Sequence, residues 1–165
     1  MKNIKFAVAG CGSIGKRHVA VIDADARSSV ISLCDIDKSK AQALSDLYGE
    51  VPVYTDYNRF LQESDADIIS ICTPHGLHAE MAIAAAEAGK NILVEKPMAL
   101  TSADARLMIE KAKEHGVSLM VVKQNRFNVP ITLTKQVLDE KKLGKIYMVQ
   151  CNVLWNRNEE YYTES

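Results

Sequence analysis

Short stretches of this sequence carry the residue types that binding and proton-transfer chemistry require. Gly10-x-Gly12-x-x-Gly15 directly follows the apolar run Ile4-Lys5-Phe6-Ala7-Val8-Ala9 and opens a stretch with helical spacing. Glycines in that context suit a phosphate cradle. Gly10 permits a tight turn, Gly12 lets backbone amides approach a pyrophosphate, and Gly15 lets the helix lie close to its strand. The first N–H groups of that helix, at Ser13, Ile14 and Gly15, would then face the phosphates. Glycines serving only as turn residues would explain neither the strand before them nor the helix after.

Asp35 gives an independent test of the cradle. It ends the next apolar run, Val30–Cys34, at the interval where a carboxylate accepts hydrogen bonds from ribose hydroxyls. The same charge would repel a 2′-phosphate, so NAD is favoured, while nearby Lys38 keeps NADP open. Asp37 competes for the ribose role but better suits the cap of the following helix.

Two later strand ends matter because ligands of open α/β sheets bind outside the carboxyl ends of strands. The first reads Thr73-Pro74-His75-Gly76-Leu77-His78. Pro74 fixes the backbone leaving the strand, and the turn would place Thr73 and His75 beside a cofactor. His75 and His78 have the spacing of a metal pair, but no neighbouring Cys, Asp or Glu completes a site, so no metal is expected. His78 reads more simply as a hydrogen-bonding residue at a helix start. The second end is Glu95-Lys96-Pro97, after four residues of strand. An ammonium there can hold a substrate hydroxyl and help move its proton, with Glu95 orienting or neutralising it. The alternative is a structural ion pair at a domain seam. The cofactor-contacting set expected from these ends is Thr73, Pro74, His75, His78, Glu95 and Lys96, with Lys96 also catalytic.

The elements that must position these residues alternate. Strands are expected over 4–9, 30–34, 51–54, 67–72, 91–94 and 117–122, the third at an edge because Pro52 cannot donate to a ladder. Helices are expected over 14–25, with Ile14, His18, Val21 and Ile22 at helical spacing, over 39–47 through Ala43, Leu44 and Leu47, over 79–88, and after Thr101, which can cap with Asp104 three residues on. Near-continuous apolar strands alternating with helices mean a parallel sheet covered on both faces. Residues 1–122 are therefore read as a doubly wound α/β Rossmann domain. Residues 123–165 are read as the truncated start of a second α/β domain: a helix opened by Pro130 and stopped by Gly144, then a long half-exposed strand from Ile146 to Trp155.

Composition excludes several classes. The 165 residues are 47% hydrophobic and 25% charged, enough to bury a core. Lys and Arg total 20 against 21 acidic residues, with no basic run, so neither a nucleic acid nor a membrane surface is an expected partner. The four cysteines are widely spaced without a CxxC pair. They fit reduced thiols in a cytoplasmic protein, and Phe6–Ala9 is too short for a signal segment.

Gly10-x-Gly12-x-x-Gly15-x-x-His18, then Thr73-Pro74 with His78, then Glu95-Lys96-Pro97, resembles the Gfo/Idh/MocA oxidoreductases. The resemblance implies NAD(P)-dependent oxidation or reduction of a sugar, nucleotide-sugar or cyclitol hydroxyl, with Lys96 assisting proton transfer. It also implies a second domain carrying further catalytic residues, and a homo-oligomeric full-length protein. Lys123-Gln124-Asn125-Arg126-Phe127, Trp155-Asn156-Arg157 and Tyr161-Tyr162 are similar to bacterial UDP-N-acetylaminosugar-uronate 3-dehydrogenases. On that likeness Lys123, Asn125 and Arg126 are substrate candidates, Lys123 or Arg126 meeting a carboxylate or phosphate. Either is equally read as a surface charge. The other readings are a non-catalytic dinucleotide-binding module and an inositol-type polyol dehydrogenase.

Overall fold

The computed structural model describes residues 3–159. The chain divides into two compact units, Met1–Lys123 and Gln124–Ser165. The first holds a six-stranded sheet in the order β3-β2-β1-β4-β5-β6. Its strands are β1 (Ile4–Ala9), β2 (Ser28–Cys34), β3 (Val53–Tyr54), β4 (Ile68–Ile71), β5 (Asn91–Val94) and β6 (Leu119–Val121). Every pairing is parallel, and the pairs Ala9↔Cys34, Ala9↔Ile71, Ile71↔Val94 and Val94↔Val121 bring the carboxyl ends level. The sheet order reverses at β1, whose neighbours are β2 and β4. The crevice above that reversal is where such sheets take ligands.

The helices of this unit are α1 (Ser13–Ala24), α2 (Lys38–Leu47), α3 (Tyr57–Glu63), α4 (His78–Glu87) and α5 (Ser102–Glu114). Alternation along β1 feeds a separate core on each face of the sheet. Val8 joins Val19, Ile22, Leu33 and Leu44 under α1 and α2. Ala7 and Ala9 join Phe60, Ile69, Ile71, Ala82, Ala85 and Met108 under α3, α4 and α5. The alanines of α4 keep its backbone near the sheet, where longer side chains would hold it away.

Two helix faces differ from those expected. The buried stripe of α1 is Gly15, Val19 and Ile22, whereas Ile14 is 41% and Val21 59% exposed. Gly15 sets the rotation, because only a residue without a side chain fits against the loop before it. In α2 the buried residues are Ala41, Leu44 and Ser45, while Ala43 and Leu47 face outward. The caps at Asp37 and Thr101 are present, accepting from the amides of Ser39 and Asp104 respectively. Pairing with β2 alone places β3 at the edge.

Helix α3 has no counterpart in the sequence periodicity. Its 7 residues give too few turns for a pattern. It forms because the Asp56 side chain accepts from the Arg59 amide at 2.7 Å while Phe60 and Leu61 bury against the sheet.

In the second unit a short 3₁₀ turn, Gln124–Phe127, precedes α6 (Val129–Asp139). The helix has Pro in its first turn and no buried residue. Residues 146–155 hold no strand, correcting the expected Ile146–Trp155 strand. Extended backbone becomes a strand only by pairing, and no described segment pairs with it. Tyr161 and Tyr162 lie outside the described residues. None of the described helices is long and apolar enough to cross a membrane.

Cys11, Cys34 and Cys72 are buried thiols and Cys151 is exposed. Burial, reinforced by Asp35 for Cys11 and Cys34, pushes all three buried thiols up to about 12. At pH 8 only about one in 10⁴ of each would be thiolate, the reactive form. Cys151 is therefore expected to be the sole thiol that reacts rapidly with a thiol reagent in the folded protein. Rapid labelling of a second cysteine before unfolding would contradict this assignment.

Candidate functional site

The phosphate loop leaves β1 at Gly10, whose φ of +91° is natural only to glycine. A Cβ on Gly10 would also lie 2.6 Å from the Cys72 carbonyl oxygen. At Gly15 a Cβ would fall 1.8 Å from the Gly10 carbonyl oxygen. Those glycines are required by the protein's own packing. Gly12 is different: its φ of −72° suits any residue, and a Cβ there would meet no protein atom within 4 Å. The absent side chain serves neither backbone nor packing, which leaves close approach of a ligand as its physical use. Gly12 is the N-cap of α1 and no side chain caps that end. The amides of Ser13, Ile14 and Gly15 are consequently available, at the positive end of the helix dipole.

Asp35 stands where β2 ends and is tied to this loop. Its Oδ2 accepts from the Cys11 amide at 2.7 Å and its Oδ1 from the Asp37 amide at 2.9 Å. Each carboxylate oxygen has a second lone pair, so capacity for two ribose hydroxyls remains. The glycine loop, the free amides and this carboxylate fit a dinucleotide on chemistry alone.

At the end of β4, Thr73 is half-buried while Pro74 and His75 are exposed, the last in a 3₁₀ turn. His78 is fully buried. Its ring nitrogens face the carbonyl oxygens of Thr73 at 2.9 Å and Pro97 at 2.8 Å. Both ring nitrogens of His78 are thus turned to backbone carbonyls, and the side chain ties the loop after β4 to the loop after β5. We expect His78→Ala to deprive a carbonyl of its N–H donor and to open a cavity, the lost donor alone costing about 1–3 kcal/mol. Thermal unfolding should show a fall of roughly 10 °C; an unchanged Tm would remove the clamp from the account.

At the end of β5, Glu95 is buried and Lys96 exposed. The Glu95 carboxylate does not meet the Lys96 ammonium. Its Oε2 accepts from the Lys96 backbone amide at 3.0 Å, and its Oε1 is 3.0 Å from His18 Nε2. The Lys96 side chain has no hydrogen-bond or ion-pair partner among the described residues. The Lys96–Pro97 bond, left open by the sequence, is cis. His18 was expected on the apolar stripe of α1, and its contact with Glu95 spans 77 positions, beyond any local pattern.

Lys123 ends the first unit, whereas Asn125 and Arg126 belong to the second, and all are exposed. Among the described residues no group of three His, Cys, Asp or Glu is placed to hold a metal ion.

A parallel sheet in this order, with a glycine loop at its reversal and a carboxylate closing the second strand, defines a dinucleotide-binding Rossmann domain. Residues 4–123 match the family model of the Gfo/Idh/MocA oxidoreductases, NAD-binding Rossmann fold, and the chain belongs to that family. It is similar to the WlbA dehydrogenase of Bordetella pertussis, solved with NADH and UDP-GlcNAcA: 36% identity, TM-score 0.94, covering 99% of this chain and 50% of that one. The corresponding WlbA structure from Chromobacterium violaceum, also with NADH and UDP-GlcNAcA, is 38% identical with TM-score 0.95, over 100% and 48%. Inositol 2-dehydrogenase of Salmonella typhimurium is 30% identical over 149 residues, covering 88% of this chain and 44% of that protein. The chain thus spans about half the length of these relatives.

Proposed function

We propose that this chain is the cofactor-binding half of an NAD(P)-dependent oxidoreductase that acts on a hydroxyl of a sugar or nucleotide sugar. The observation that carries the reading is Gly12, a glycine that the fold itself does not need, beside Asp35 at the β2 end. The α1 amides bind pyrophosphate, and Asp35 accepts from ribose hydroxyls and favours NAD over NADP. When bound, the nicotinamide supplies the hydride chemistry. Lys96 holds the substrate hydroxyl and moves its proton, while Thr73, Pro74 and His75 line the approach from the β4 end.

Residues 123–165 read best as the opening of a substrate-binding and oligomerisation domain. Lys123, Asn125 and Arg126 are the substrate candidates, with Lys123 or Arg126 suited to a carboxylate or phosphate. The WlbA likeness supports a UDP-sugar uronate. The inositol 2-dehydrogenase likeness supports the second reading, a free polyol. Three buried thiols suit the reducing cytoplasm.

Calorimetric titration with NADH and NADPH tests the cofactor role directly. Binding is expected for NADH, more tightly than for NADPH, and heat from neither would overturn the proposal. A substrate panel of UDP-N-acetylglucosamine uronate against inositols, with NAD⁺ supplied, then separates the two substrate readings.

A further inference from the structure

We infer that His18 is a positioning residue for Lys96, acting through the Glu95 carboxylate. The inference rests on the reading of Lys96 as the proton-transferring group. His18 lies on α1, the helix that the phosphate loop opens, with its side chain 11% exposed against 7% for Glu95. Its Nε2 is 3.0 Å from Glu95 Oε1 and its Nδ1 is 2.7 Å from Ser70 Oγ on β4. A carboxylate only accepts, so it keeps a proton on Nε2. The Ser70 hydroxyl can donate or accept, and so serves Nδ1 in either state.

The other Glu95 oxygen, Oε2, takes the Lys96 amide at 3.0 Å. That amide lies two residues beyond the end of β5. The neighbouring Glu95 amide is held by the sheet itself, through the Ile71 carbonyl at 3.0 Å. Lys96 is therefore the first residue of the loop whose backbone is fixed by a side chain rather than by the ladder. A buried carboxylate needs hydrogen bonds on both oxygens to stay in place. Without His18 one oxygen of Glu95 loses its donor, and the carboxylate would turn away towards other partners or water. The Lys96 backbone would go with it. Through this relay the helix that presents the pyrophosphate amides also sets where the lysine stands.

Amide hydrogen exchange in the 165-residue chain, followed residue by residue, tests the relay. His18→Leu fills the space without a donor, and His18→Gln keeps an N–H. In His18→Leu the Lys96 amide is expected to lose at least tenfold protection, while the Glu95 and Ile92 amides keep theirs. His18→Gln should restore most of the loss, and NADH affinity should stay within about threefold in both. A merely structural ion pair would instead loosen Glu95, Ile92 and Lys96 together, and that pattern overturns the inference, as does an unchanged Lys96. Should His18→Leu fail to fold, Glu95→Met removes both acceptor oxygens with little change of bulk. It should likewise expose the Lys96 amide selectively, and full protection there overturns the inference too. Failure of the wild-type chain to bind NADH would sink the cofactor reading, while the exchange comparison still decides whether His18 positions Lys96.

Discussion

Gly12→Ala is expected to leave the protein as stable as the parent, to within about 1 kcal/mol, yet to weaken NADH binding at least tenfold. The backbone at Gly12, with φ −72° and ψ −163°, lies in a region open to alanine. The new methyl group would meet no protein atom within 4 Å. Alanine is a slightly poorer N-cap than glycine, and this is offset by the smaller entropy of its unfolded chain. Only a ligand lying against the loop would feel the methyl, and a tenfold loss corresponds to about 1.4 kcal/mol. Gly15→Ala should behave differently. Its methyl would sit 1.8 Å from the Gly10 carbonyl oxygen and 2.9 Å from the Gly10 carbonyl carbon. Both are backbone atoms that cannot swing aside. Overpacking of this kind costs about 3 kcal/mol or more, so Tm should fall by roughly 6–12 °C and binding should be lost with it. Paired thermal melts and NADH titrations of the two variants read the contrast. Wild-type affinity in Gly12→Ala would refute the assignment of the loop.

On the proton-transfer role proposed above, Lys96→Ala in an enzyme that carries this domain together with a substrate domain should cut turnover by roughly 10²–10⁴-fold, the usual worth of a positioned acid–base group. NADH affinity should stay within about threefold. The expectation rests on a division visible in the structure. The Lys96 backbone is held by Glu95 at 3.0 Å, while its exposed side chain contributes no hydrogen bond or ion pair to the fold among the described residues. Truncating an exposed, unpartnered side chain changes stability by no more than about 0.5 kcal/mol. A loss of rate without a loss of stability or cofactor binding would therefore locate the defect in chemistry. Unimpaired turnover in Lys96→Ala would return the lysine to the role of a surface charge.

The parts of the molecule that could be read from sequence are those whose determinants are local. The runs Phe6–Ala9, Val30–Cys34 and Asn91–Val94 are apolar because both faces of a parallel strand are buried, and each is a strand. Caps at Asp37 and Thr101 follow from side chains reaching amides two or three residues on. What escaped depends on distant partners. The buried face of α1 follows from a clash between Gly15 and Gly10 rather than from the placement of Ile14 and Val21. Helix α3 is too short to show a period. The segment 146–155 shows a strand-like alternation without a partner to pair with. At the site, the glycine loop, Asp35 and Lys96 announced themselves by type and context. Glu95 stood out beside Lys96 and His18 within the glycine motif, but their contact with each other, and that of His18 with Ser70, did not, since it joins α1, the end of β5 and β4.

The short contact between Asp35 and the Cys11 amide, 2.7 Å, has a consequence for anyone wishing to change coenzyme preference. The usual first step is to remove the carboxylate so that a 2′-phosphate is no longer repelled. Here that step also takes away the acceptor that holds an amide of the glycine loop and, through Oδ1, the amide of Asp37. Coenzyme choice and loop order are consequently one variable rather than two. A switch towards NADP would succeed with a residue such as Asn or Ser that still offers an oxygen to Cys11, together with a cation brought in from the α2 side to receive the phosphate.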